Sequence, residues 1–111
     1  MRAETPVSGV LLVQQLSEQL RAKNADAREQ TIMAIIHYAT NYGDLVDFSP
    51  LSDELLRVFA SDASPSRRIM IAHAISRIGG ATANAELMRL ASRDSSPQVR
   101  RLASYAAASA I

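Results

Sequence analysis

The chain has 111 residues, no cysteine and a formal net charge of +1, with 48% hydrophobic and 5% aromatic residues. That length holds one domain with a modest core. Without cysteine there are no disulfides or thiolate metal ligands, which suits the cytosol. No uninterrupted apolar run reads as a signal peptide or a membrane span, so a soluble cytoplasmic protein without a membrane role is expected.

The small net charge conceals an asymmetry. Residues 1–66 carry five basic and nine acidic side chains, whereas residues 67–111 carry seven arginines against Glu86 and Asp94. Opposite halves of two molecules can attract one another, or the basic half can meet an acidic partner.

Punctuation and periodicity predict six helices. Pro6 or Ser8 opens the first, over about residues 7–22, with Val10, Val13, Leu16 and Leu20 as its apolar stripe. A second runs over about 27–42 and stops at Gly43, where glycine suits a left-handed cap. The steps Ser49-Pro50, Ser64-Pro65 and Ser96-Pro97 open helices at about 50–61, 65–78 and 97–110. In each, serine caps a free N–H and proline loses nothing at the first helical position. Gly79-Gly80 ends the fourth helix, and the fifth covers about 83–93. No stretch alternates with period two, so strands are not expected.

The chain repeats itself. Glu54-Leu55-Leu56-Arg57 answers to Glu86-Leu87-Met88-Arg89, and Asp62-Ala63-Ser64-Pro65-Ser66-Arg67-Arg68 answers to Asp94-Ser95-Ser96-Pro97-Gln98-Val99-Arg100, a displacement of 32 residues. Such a period signals a helical solenoid. A fainter displacement of 36 matches Asp26 to Asp62, His37 to His73 and Gly43 to Gly79. It also places Ile32, Ile35, Ile36, Ala39 and Tyr42 against the fourth-helix stripe Arg68, Ile71, Ala72, Ile75 and Ile78.

The pattern Asp62-x-x-Pro65-x-x-Arg68-x-x-x-Ala72, with Gly79 at the helix end, resembles a HEAT-type repeat, and Asp94-x-x-Pro97-x-x-Arg100 repeats it. It is similar to the short bacterial, PBS-lyase-like repeats that carry Asp-x-Ser-Pro-x-Val-Arg. The resemblance covers residues 50–111 well and 7–43 weakly, because the first repeat lacks the proline and the arginine. It implies an all-α, right-handed α-α superhelix of three antiparallel helix pairs. That solenoid would form one domain over 1–111, with repeats at about 7–43, 50–79 and 83–111. It also implies that Asp62, Arg68, Asp94 and Arg100 bond between neighbouring repeats as a structural ladder.

Little in the chain points to catalysis. His37 and His73 have no metal-ligand spacing and no cysteine to complete a site, so neither a metal nor another cofactor is expected. Serines sit at caps and helix surfaces, without a base and an orienting acid in sequence context. Asp44, Asp47, Asp53 and Glu54 read as a solvated loop and helix-start charges rather than acid–base machinery. A histidine phosphotransfer protein is the remote alternative for His37. That family shows lysine and glycine just after its histidine, where this chain has Tyr38, Ala39, Thr40 and Asn41. The expectation is a non-enzymatic chain.

Opposite its core stripe, the fourth helix presents Ser66, Met70, His73 and Arg77. Equivalent positions are Gln30, Ala34, His37 and Asn41 one repeat earlier, and Gln98, Leu102, Tyr105 and Ser109 one later. If second helices line the inner wall, as the resemblance implies, His37, Met70, His73, Arg77, Leu102 and Tyr105 form a partner-binding stripe. Met, Tyr and Arg are typical of binding hot spots. A protein–protein interaction or scaffold module is therefore expected. A nucleic-acid-binding module using the arginine-rich half ranks second, since that half lacks lysine and stacking Trp or Phe. The last helix carries no charge after Arg101, so a homodimer covering Leu102, Tyr105 or Ala106 is expected, or a chain cut from a longer repeat protein.

Overall fold

Three helices in this chain, the second, fourth and sixth, begin where a polar side chain takes up unpaired N–H groups of the first turn. In the computed structural model, which describes residues 7–109, this happens at three equivalent places. Asn24 accepts from the N–H groups of Asp26 and Ala27 at 2.8 and 3.1 Å. Ser64 accepts from Arg67 N–H, and Ser96 from Val99 N–H, both at 3.3 Å. The helices are α1 (Val7–Gln19), α2 (Ala25–Tyr42), α3 (Ser52–Ser61), α4 (Pro65–Ile78), α5 (Ala81–Ala91) and α6 (Pro97–Ser109), with a 3₁₀ turn at Ser49–Leu51 before α3. The described chain is all-α.

Packing places α2, α4 and α6 side by side, with α3 and α5 covering α4 and α6, and α1 covering α2 and the 3₁₀ turn. The resulting slab measures 47 × 32 × 18 Å. An α-helix with its side chains is about 10 Å across, so the short dimension is two helices deep. The core runs between the layers. Leu16, Leu20, Ile32 and Ile35 meet Leu51, Leu55, Val58 and Phe59, then Ile71, Ala72 and Ile75, then Leu87, Val99, Ala103 and Ala107. Each of these side chains is essentially shielded from water.

Several expectations change at this level. Gly79 and Gly80 adopt φ of 86° and 102°, as a glycine stop requires, but Gly43 is right-handed at φ −64° and ψ −21°. There α2 ends instead in a turn in which Leu45 and Val46 both donate to the Tyr42 carbonyl. Ser49 is not a side-chain cap: Phe48 holds that position, and Ser49 N–H donates to the Asp47 carboxylate at 3.0 Å. Val10 and Tyr42, expected in the core stripes, are 47% and 43% exposed.

The larger correction concerns the first repeat. Caps at Asn24 and Ser64 are 40 residues apart, not 36. In that register Arg28 occupies the place of Arg68, so the first repeat does possess the arginine. The error is one of helical phase. Four residues advance a helix by little more than one turn, so a displacement of 36 or 40 lays nearly the same apolar face against the core.

Candidate interaction groove and arginine ladder

The arginine at the fifth position of each capped segment ties the layers together. Arg68 Nη1 donates to the Asp62 carbonyl at 2.8 Å, while Nε and Nη2 donate to the two Asp94 oxygens, each at 2.8 Å. Arg68 is only 9% exposed, and a fork-to-fork pair of this kind is a strong, directional bond. Hydrogen bonding from Arg68 is the main reason the Asp94 carboxyl lies below its ordinary pKa.

Asp62 is the other rung. Burial alone would raise its pKa, but Ser64 N–H at 2.9 Å and Arg67 Nε at 3.1 Å outweigh that and lower it. Arg28 Nη2 reaches Asp62 from the preceding segment at 3.7 Å, and Arg67 also reaches Glu29 at 3.6 Å. Asp62, Arg68 and Asp94 therefore link consecutive units. Arg100 occupies the matching place, donating to the Asp94 carbonyl at 2.6 Å, yet among the described residues it has no carboxylate partner. Sequence reasoning missed Arg28 and Arg67. The signal for Arg28 was present, since Asn24, Ser64 and Ser96 each precede an arginine by four residues.

On the other side of α4 lies an open groove of about 660 Å³. From α4 it is lined by Ser66, Ile69, Met70, His73, Ser76 and Arg77, and from α6 by Leu102, Tyr105, Ala106 and Ser109. Five expected stripe residues thus come together: Met70, His73, Arg77, Leu102 and Tyr105. Tyr105 is 73% exposed and Leu102 39% exposed, so together with Met70 they present apolar surface to solvent along the groove. Among the described residues, no carboxylate side chain lines the groove. His73 is exposed, but partial desolvation by its neighbours, and then the positive charge of Arg77, lower its pKa and favour its neutral form.

His37 does not line this groove. It is exposed on α2, within 3.3 Å of the Asn41 amide and edge-on to Tyr38 and Tyr42. The 40-residue register aligns it with Arg77, and aligns Met33, 50% exposed, with His73. The His37–His73 equivalence came from the wrong register.

Groove hydroxyls are engaged locally: Ser76 donates to the His73 carbonyl at 2.9 Å and Ser109 to the Tyr105 carbonyl at 2.8 Å. Among the described residues, no three His, Asp or Glu side chains converge to hold a metal. No described helix is long and apolar enough to cross a membrane. No family model matches this chain, and neither a curated protein nor a solved structure matches it.

Proposed function

We propose that this chain is a non-catalytic, HEAT-like interaction module that seats an apolar segment of a protein partner between α4 and α6. The observation that carries this reading is the open groove in which Met70, Leu102 and Tyr105 gather beside His73 and Arg77. Its size falls within the range of sites that take a few side chains. Amphipathic Tyr and flexible Met supply contact area at small entropic cost, and Arg77 can fix orientation. Paired caps and the arginine ladder support the repeat character, because they connect equivalent positions of successive units.

A protein partner is favoured over nucleic acid. Arg67, Arg68 and Arg89 already hold carboxylates within the chain, which removes much of the basic surface that a phosphate backbone requires. The test is selection of binders from a displayed library of peptides about 15 residues long, followed by affinity measurement on the whole chain. Tyr105→Ala or Met70→Glu should weaken selected peptides about tenfold or more, as loss of a central anchor does. Peptides whose affinity ignores both substitutions, or failure to select any, would overturn the reading. Stronger, salt-sensitive binding to duplex or single-stranded DNA would replace it.

A further inference from the structure

Three arginines stand at one place in α2, α4 and α6. Each donates Nη1–H to a carbonyl six residues back: Arg28 to Ala22 at 2.8 Å, Arg68 to Asp62 at 2.8 Å and Arg100 to Asp94 at 2.6 Å. That bond holds the guanidinium against its own loop and leaves further N–H groups for an acid. Arg28 takes Asp62, and Arg68 takes Asp94. Arg100 is equally held, and among the described residues its outer N–H groups meet no carboxylate.

The acceptors also share one form. Asp62 accepts from Ser64 N–H and Asp94 from Ser96 N–H, both at 2.9 Å, each within an Asp-x-Ser-Pro sequence. The chain has a third such sequence, Asp47-Phe48-Ser49-Pro50, with the same bond at 3.0 Å. Asp47 is exposed and forms no ion pair among the described residues. Hydrogen bonds from Ser49 lower its pKa, so it is anionic at neutral pH.

One chain therefore carries a prepared donor without an acceptor and a prepared acceptor without a donor. We infer that Asp47 of one copy docks on Arg100 of a second copy, as Asp94 docks on Arg68 within a single chain. The surroundings agree in charge. Asp44 and the 63% exposed Leu45 accompany Asp47 in the chain, while the exposed Arg101 follows Arg100 on α6. The acidic site lies in the half with excess carboxylates and the basic site in the half with excess arginines. A partner offering the same loop at the first unit is ruled out, because Ala22 stands where Asp62 and Asp94 stand in the others. A solvent-exposed ion pair contributes little by itself, so the association is weak, with Kd of about 1 mM.

Sedimentation equilibrium on the whole chain tests this. The weight-average mass should climb above the 12.0 kDa of one copy as concentration rises. Asp47→Arg and Arg100→Glu should each hold it near one copy, with unchanged far-ultraviolet circular dichroism. Mixing these two variants should restore association, because each variant supplies the charge that the other has reversed. Arg100→Gln keeps a donor for the Asp94 carbonyl while removing the charge. It should weaken association about threefold or more without loss of helicity. A mass of 12.0 kDa at every concentration, a rise undiminished in the variants, or a mixture that stays monomeric would overturn the inference.

Discussion

Arg68 and Asp94 are 26 residues apart in the chain, yet meet through two hydrogen bonds of 2.8 Å between largely buried side chains. Removing either group leaves the other charge shielded and unpaired, which is more harmful than the pair is beneficial. Asp94→Ala and Arg68→Ala should each cost about 3 kcal/mol in urea denaturation, and the double variant should cost less than their sum. Arg57→Ala should have a much smaller effect, since Arg57 is itself exposed and its partner Glu54 keeps a second contact from Arg21. Comparable losses at Arg57 and Arg68 would refute the ladder as a source of stability.

Acid should release the same restraint. The carboxyls of Asp94 and Asp62 titrate below their ordinary value, so the unfolded chain takes up protons before the folded one does. Their contribution is intact above the ordinary carboxylate pKa of about 3.9, and is lost as pH falls through the lower folded values. Denaturation midpoints should drop most steeply below about pH 4, and Asp94→Asn should flatten that descent. An equally steep profile in Asp94→Asn would contradict the assignment.

His73 should behave in a related way near neutrality. Partial desolvation first, and then Arg77, disfavour its charged form. Proton NMR should give it a pKa below the model-peptide value of about 6.5, and Arg77→Gln should recover only part of the shift. The unfolded chain then binds the proton first, so His73 makes the fold less stable as pH falls through about 6.5. His73→Gln should remove that small slope. A midpoint at or above the ordinary histidine value would exclude the described surroundings.

At Gly79, φ 86° and ψ −171° lie in a region that residues with a side chain avoid, and nothing lies within 4 Å of an added Cβ. Gly79→Ala should therefore lower stability by about 1–3 kcal/mol through backbone conformation alone. Thermal unfolding is the measurement. A neutral effect would mean that the α4–α5 connection readjusts freely.

Local chemistry was legible in the sequence wherever it is enforced by a short motif. Ser64-Pro65 and Ser96-Pro97 start α4 and α6, and the stripe from Met70 to Arg77 faces a groove with Leu102 and Tyr105. Long-range register was harder to read. Ile32, Ile35 and Ala39 satisfy a core stripe at either displacement, and only the Asn24 cap and the bond from Arg28 to the Ala22 carbonyl distinguish them. Asparagine in place of Ser-Pro disguised that start. Tyr42 looked like core because periodicity continues to the end of α2, beyond the place where neighbouring helices cover it.

The central seat of α4 has a consequence for how the molecule comes apart. It packs on α2, α3, α5 and α6, whereas α1 packs on α2 and the 3₁₀ turn. Cohesion is therefore graded along the chain, and local opening should begin at α1 while α4 yields only with the whole. Amide exchange should show Ile71, Ala72 and Ile75 as the slowest exchangers and the α1 amides as the fastest helical set. A partner that bridges α4 and α6 would then restrain the part that is already firm, leaving the opposite end free to breathe.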